Sequence, residues 1–348
     1  MNEVAAAVSR LPHVWVIFSC CFVLVACSAH DVEKPIVMSI GGSTMGTTWS
    51  LSWVDTGGKL TDTSSLKLAI EAELARINGL MSTWDPESEL SLFNQSSSIE
   101  PTVLHEDTLK VIDASLSINR LTGGRYDITL QPVIDLWGFN RNTSSPTPAK
   151  TDLQRALDAS GYIQLVRIGE TIRKRHADVS VDVSSLAKGF AVDKLGELAE
   201  LLGISRYIVD IGGEVRAQGT RADGNSWRVG IEHPDGEVAQ VISLSNSHIA
   251  TSGSYRNYRI EDGKRLSHII DGVTGRPIEH DLVSVSVVHE STMLADAWAT
   301  ALLVVGEPAA KDLIHEQGLV AQLTVYREGG FKRFASNEFN ELVVEPFP

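Results

Sequence analysis

Beyond residue 27 the chain has no cysteine: all three, Cys20, Cys21 and Cys27, lie at its N-terminal end. The body therefore has no thiol for a disulfide, a thiolate zinc site or a cysteine nucleophile. Positive charge is also scarce. Thirty Lys and Arg stand against 44 Asp and Glu, a formal net charge of -14. This balance argues against a sequence-independent grip on nucleic acid, which needs clustered cations to displace counterions; a dinucleotide could still be held by backbone amides. The common nucleotide and hydrolase signatures are missing too: no G-x-x-x-x-G-K-[ST], no properly spaced G-x-G-x-x-G and no G-x-S-x-G elbow. P-loop NTPase, dinucleotide-fingerprint and α/β-hydrolase readings lose support accordingly. There is no internal repeat and no low-complexity tract.

What is present suits a globular protein. Hydrophobic residues make up 43% and charged residues 21% of 348, enough for one large domain or two intimately packed ones. Arg10 precedes the apolar run Val14 to Ala26, and Leu24-Val25-Ala26-Cys27 has the form of a lipobox. The thirteen-residue run is shorter than the roughly 20 residues of a spanning helix. Residues 1–27 thus read as a lipoprotein signal peptide, with Cys27 lipidated and the protein facing the periplasm. An uncleaved signal anchor is the alternative. Ser28 follows the cysteine, which leaves the choice between inner and outer membrane open. Residues 28–35 read as a tether and 36–348 as the functional domain.

Periodicity places a strand at Thr47 to Trp53 and a helix at Ser64 to Leu80, with Leu66, Ile70, Leu74 and Ile77 on one stripe. A second helix starts at Asp107, buries Leu109, Ile112 and Leu116, and ends at Gly123-Gly124. The stretch Asn142 to Lys150 reads as an exposed loop and a subdomain boundary, followed by a short helix from Thr151 to Gly161. Strands are expected at Val179 to Val183, Tyr207 to Ile211, Trp227 to Glu232, Val241 to Leu244 and Val283 to His289. Helices are expected at Leu186 to Leu202 and Met293 to Val305. Helices and strands mix without strict alternation. That predicts an α+β fold with mixed or antiparallel sheets and two intimately associated subdomains around a cleft.

Several glycine turns lie beside polar residues, each more often an ordinary turn than a phosphate cradle. Sharper is Leu294 to Ala301, where Asp296 and Thr300 stand four apart and share one helix face. A carboxylate and a hydroxyl among small alanines suit a hard cation such as Mg2+, which keeps several waters and often bridges to phosphates. Equally, Asp296 could cap a loop and Thr300 bond back to its own helix. His268, in an apolar segment before the Gly272 turn, is either a structural histidine or a general base for a hydroxyl nucleophile.

Read in order, Met45-Gly46-Thr47-Thr48-Trp49, Met81 to Trp84, Gly123 to Thr129, Trp137-Gly138-Phe139, Asp182 with Ala187-Lys188-Gly189, Asp210 to Glu214, Thr251-Ser252-Gly253, His268-Ile269, Thr274-Gly275 and Asp296 to Thr300 resemble the ApbE family. These are FAD:protein FMN transferases. The ordered set carries the resemblance, from about residue 40 to about 305. It implies that FAD is contacted by Met45, Trp84, Arg125, Tyr126, Asp127, Asp182, Lys188 and Ile270. It implies that Mg2+ is held by Asp296, Thr300 and the backbone carbonyl of Ser185. Arg125 and the serines at 184 and 185 depart from the family's usual residues; Arg125 either adds a phosphate contact or points to solvent.

The resemblance further implies attack by an acceptor threonine on the FMN-side phosphorus, with AMP leaving. His268 is the expected base and Asp296 the alternative. Implied acceptors are membrane redox subunits, such as those of sodium-pumping NADH:quinone reductase or the Rnf complex, that carry a Ser/Thr-Gly-Ala-Thr-like motif. Two other functions fit the same residues: an FAD pyrophosphatase, with water as nucleophile, and a noncatalytic FAD-binding lipoprotein.

Overall fold

Trp49, Leu51 and Trp53 alternate along Thr47–Asp55 and point into one core, while Val54 points into another. This two-faced pleat recurs across an eight-stranded sheet: Ile36–Thr44, Thr47–Asp55, Tyr207–Ile211, Glu214–Gln218, Ser247–Gly253, Leu282–His289, Val320–Arg327 and Gly330–Ala335. Spatial order equals chain order, and every neighbouring pair is antiparallel. The sheet is a meander, and the insertions between its strands, with a short segment after the last one, build the rest of the described fold. The computed structural model describes residues 35–55, 62–139, 147–255, 258–261 and 264–346. The signal peptide, residues 28–34 of the tether and part of the Asn142 to Lys150 loop lie outside the described residues.

One face of the sheet is covered by the helices Thr63–Met81, Glu106–Leu121, Ser184–Leu201 and Thr292–Val305. The other is covered by a three-stranded sheet, Trp227–Glu232, Val238–Leu244 and Val343–Pro346, and by the helix Asn337–Leu342, whose Phe339 is fully buried. A third, small cluster of Leu130, Val133, Trp137, Leu153, Ala156 and Ile270 sits apart from both. Residues 34–348 form one compact unit, so within it the expected second subdomain corresponds at most to this small cluster. Among the described residues no helix is long and apolar enough to cross a membrane.

The α+β expectation holds, as do the main helices. Leu66, Ile70, Leu74 and Ile77 form the buried stripe of Thr63–Met81, which Asp62 caps by accepting the Ser64 N–H at 3.0 Å. The short helix is Lys150–Asp158. One strand differs. Val179 to Val183 buries alternate residues but makes only a single parallel bridge, Ser180 with Leu130, beside which the Asp182 N–H donates to the Ile128 carbonyl at 2.7 Å. The Asn94 amide donates to the Val181 carbonyl and accepts the Val181 N–H, both at 2.8 Å, and so takes the place of a second strand neighbour. The strand Ile36–Thr44 was not expected, because Gly41 and Gly42 interrupt its alternation.

Candidate active site

The site is built on a helix crossing. Ser184–Leu201 meets the start of Thr292–Val305 at Gly189, where a Cβ would lie 2.4 Å from the Thr292 carbonyl oxygen and 2.8 Å from Met293 Cα. Only glycine allows that approach. It brings the Gly189 N–H within 3.1 Å of Asp296 Oδ2. In an α-helix this N–H is the one aimed at the carbonyl four residues back, which here is Ser185. The Asp296 carboxylate and the Ser185 carbonyl are thereby gathered around one amide.

One turn further on, Asp193 locks the crossing. It accepts Ser291 Oγ at 2.8 Å and the N–H groups of Thr292 and Met293 at 2.9 and 3.1 Å, capping the second helix from the first. Burial alone would raise its pKa, but His248 and these donors hold it at about 2.

Charge is concentrated beside the crossing. Lys188 Nζ is 2.5 Å from Glu214 Oε1, and Glu214 and Asp296 are each only 3% exposed. Burial, then repulsion from Asp296, pushes Glu214 up to about 8 despite Lys188. Burial likewise raises Asp296 and Asp210, against the pull of Lys188. Burial works against charged Lys188, yet Asp296 and Glu214 hold its pKa above the ordinary lysine value. Glu214 Oε2 has no hydrogen-bond partner. Three carboxyls around one lysine leave this end short of positive charge.

Thr300 lies one turn beyond Asp296, and its hydroxyl is 2.8 Å from Ser252 Oγ on the neighbouring strand. Among the described residues no three His, Cys, Asp or Glu side chains form a metal cage. The donors that do converge are a carboxylate, a hydroxyl and a carbonyl, all oxygen. That set fits a hard cation that retains several waters.

These groups form the inner wall of a cavity of about 1170 Å3. Ser185, Lys188, Asp296 and Thr300 line it together with Glu214 and Ser252; Trp84, Tyr126, Asp127, Asp182, His268 and Ile270 line the rest. Of the residues expected from the sequence, only Met45 and Arg125 are not on its wall. Met45 occupies the tight turn between the first two strands at φ 47° and packs on the main core. Arg125 reaches Asp271 at 3.1 Å, and the Gly272 N–H donates to the Arg125 carbonyl at 2.8 Å. Arg125 thus fastens two turns together behind the cavity.

The other lining residues differ in how tightly they are held. Tyr126 is buried with its hydroxyl 2.8 Å from Ser185 Oγ, and burial drives its phenol well above the usual range. Asp127 Oδ1 accepts the Thr129 N–H and hydroxyl at 2.7 and 2.6 Å. Asp182 Oδ1 accepts the Ser184 N–H at 2.8 Å, just before the Lys188 helix. Burial raises both carboxyls. His268 is partly buried between Lys264–Ser267 and Ile270–Asp271. Trp84 is 81% exposed, although Ser82 Oγ accepts the backbone N–H groups of Trp84 and Asp85.

Glu214, Ser252 and Asp193 were not singled out from the sequence. Glu214 and Arg216 alternate with Val215 and Ala217, which face the second core. Two charges on the core-facing side of a central strand were the available signal.

The sequence model of the ApbE family matches residues 45–323. The FAD:protein FMN transferase of Vibrio cholerae is 38% identical over 318 residues, covering 89% of this chain and 94% of that protein. That of Haemophilus influenzae is 39% identical over 316 residues, with coverage of 88% and 91%. The solved flavin transferase ApbE from Vibrio cholerae is similar in fold with a TM-score of 0.81 at 36% identity, covering 88% of this chain and 99% of that one. For the apo form of the Pseudomonas stutzeri flavinyl transferase ApbE the TM-score is 0.83 at 32% identity, with coverage of 90% and 98%. With sequence, fold and the ordered motifs in agreement over most of its length, the chain belongs to the ApbE family.

Proposed function

We propose that this chain transfers the FMN half of FAD to a threonine hydroxyl of an acceptor protein, releasing AMP, with Mg2+ at the inner end of the cavity. The observation that carries this reading is the oxygen set of buried Asp296 and half-buried Ser185 and Thr300 beside Lys188, at one end of a cavity large enough for a dinucleotide. Its other wall offers an uncovered indole. Asp296, Thr300 and the Ser185 carbonyl would hold the metal. When bound, Mg2+ would offset charge on the pyrophosphate and assist the departure of AMP.

The protein's own groups do the rest. Lys188, kept charged by its carboxylate neighbours, faces the pyrophosphate. Trp84 stacks on a flavin or adenine ring, and Ile270 supplies apolar wall. Asp127 and Asp182 accept hydrogen bonds from ring or ribose donors through the lone pairs their own turns leave. Tyr126 keeps Ser185 in place. Met45 and Arg125 act at one remove, through the packing of their turns.

His268 takes the proton of the acceptor hydroxyl as that oxygen bonds to the FMN-side phosphorus. The phosphoanhydride bond breaks, and AMP leaves with the bonding electron pair. Asp296, with one oxygen committed to Gly189, is the poorer base. Suitable acceptors are membrane redox subunits of the sodium-pumping NADH:quinone reductase or Rnf type, bearing a Ser/Thr-Gly-Ala-Thr-like segment. Lipidation at Cys27 would hold the enzyme on the periplasmic face of the membrane, beside such subunits; loss of lipid incorporation in Cys27→Ala tests this.

Intact-mass spectrometry of an acceptor incubated with the enzyme, FAD and Mg2+ tests the proposal. An FMN adduct on threonine, absent when that threonine is alanine and absent after chelation, is the expected result. Free FMN and AMP with unmodified acceptor would mean that water is the nucleophile. Bound FAD without turnover would mean a carrier.

A further inference from the structure

Strand Ser247–Gly253 pairs with Leu282–His289 from His248 to Gly253. On its other side it pairs with Glu214–Gln218 only at Ser247, His248 and Ile249. Beyond Ile249 that pairing ends, and a second cavity of about 170 Å3 lies there, against the Gly212-Gly213 turn that leads into Glu214–Gln218. Gly212, Gly213, Ile249, Thr251, Gly253 and Tyr255 line this gap on one side, and residues 229–232 on the other. The latter belong to Trp227–Glu232, an edge strand of the three-stranded sheet. Alternate residues of an antiparallel strand turn their N–H and C=O groups to opposite sides. Residues 250–253 and the strand Trp227–Glu232 therefore carry main-chain groups with a strand partner on one side only.

Gly212, Thr251 and Gly253 also line the main cavity, so the two cavities share this wall. The shared wall lies at the inner end: Thr251 and Gly253 flank Ser252, whose hydroxyl meets Thr300. Trp84 does not line the gap.

We infer that this gap seats the acceptor polypeptide, extended against Trp227–Glu232, with its threonine directed past Gly212 and Thr251 toward Thr300 and Asp296. The inference rests on the transferase reading. FAD stretched from Trp84 to Asp296 occupies the main cavity, so a polypeptide nucleophile needs a separate entrance. In-line displacement also requires that it arrive opposite the leaving group. The gap supplies such an entrance where the phosphorus would be held. Its glycine-rich walls bring main chain close to main chain, as in strand addition to a sheet edge. Ile249 and the Tyr255 ring, which lies against Gly253, narrow the gap further, so the room beside the guest suits small side chains such as those of a Ser/Thr-Gly-Ala-Thr-like segment.

The test compares full-length wild type with Gly230→Trp and Gly230→Ala, using FAD, Mg2+ and an acceptor protein that carries such a segment. Gly230 is exposed and lines the gap, not the main cavity. Gly230→Trp should raise KM for the acceptor at least about tenfold while FAD affinity, read from flavin fluorescence, stays within about twofold. Gly230→Ala should lie close to wild type. A wild-type acceptor KM in Gly230→Trp would overturn the inference. Should that variant misfold, amide exchange on the wild type decides: a peptide of the acceptor segment should slow exchange within 229–232 and 250–253, and unchanged exchange there would overturn it. No labelling by the wild type itself would instead sink the transferase reading, and this inference with it.

Discussion

The two ends of the cavity are built on opposite principles. At the inner end Glu214 and Asp296 are enclosed and Lys188 is about two-thirds covered, and the crossing that carries Lys188 and Asp296 is locked by Gly189 on one turn and Asp193 on the next. At the outer end Trp84 stands 81% exposed, and the Arg125–Asp271 pair that fastens the adjoining turns is itself half-exposed on the arginine side. Positions that must meet developing charge are organised before the substrate arrives, since electrostatic stabilisation acts best through groups that need not move. Under the proposed function, a position such as Trp84 that recognises a flat ring would gain its burial from the ligand.

Substitutions should separate these two ends by size and kind of effect. Asp296→Ala should lower metal-dependent turnover about a thousandfold, the equivalent of ~4 kcal/mol, with circular dichroism and FAD binding largely preserved. Near-normal turnover would show that the inner end is not the metal end. Gly189→Ala should part the helices: the over-packing rule gives about 1–3 kcal/mol of destabilisation in denaturant titration, together with lost activity. A fully stable and active variant would mean that the crossing relaxes at no expense to the site.

Trp84→Ala should behave in the contrary manner. Stability should change by less than about 0.5 kcal/mol, while Kd for FAD rises about tenfold through lost stacking, worth ~1–3 kcal/mol per ring. Unchanged FAD affinity would remove Trp84 from the binding surface.

The smallest effect concerns pH. Glu214 titrates at about 8 in the fold, above its ordinary 4.5, so the folded protein holds this proton more tightly than the unfolded chain does. Its contribution to stability is full below about pH 4.5 and is lost as pH rises through about 8. Asp193 runs the other way: lowered to about 2, it contributes above its ordinary 3.8 and loses that contribution as pH falls through about 2. Glu214→Gln should flatten the fall of metal-free stability between about pH 4.5 and about 8 and leave the fall below pH 3.8 intact. An unchanged fall between about 4.5 and 8 would locate the proton elsewhere.

Much of the framework was legible because local chemistry and global fold agree. The stripe of Thr63–Met81 and the alternation of Thr47–Asp55 read correctly, and each buries the residues its period demands. Val179 to Val183 read as a strand because its alternation is real, but no periodicity reveals that it has one bridge, to Leu130, and a side chain, Asn94, where a second strand would lie. Asp296 and Thr300 were readable as a pair from their spacing. Their neighbours were not, since Glu214, Ser252 and Asp193 acquire their places only through contacts across 26, 48 and 99 residues of chain. The glycine at 189 fell inside the expected helix Leu186 to Leu202, with nothing local to mark its packing role. Its part is to let two helices touch, which is a property of the pair and not of either segment.

The most direct test of the account is the ratio of AMP released to flavin attached in a single reaction of enzyme, FAD, Mg2+ and acceptor. One AMP for each flavinylated threonine, with both products lost on chelation, is the predicted result. AMP accumulating beside free FMN while the acceptor stays unmodified would contradict it.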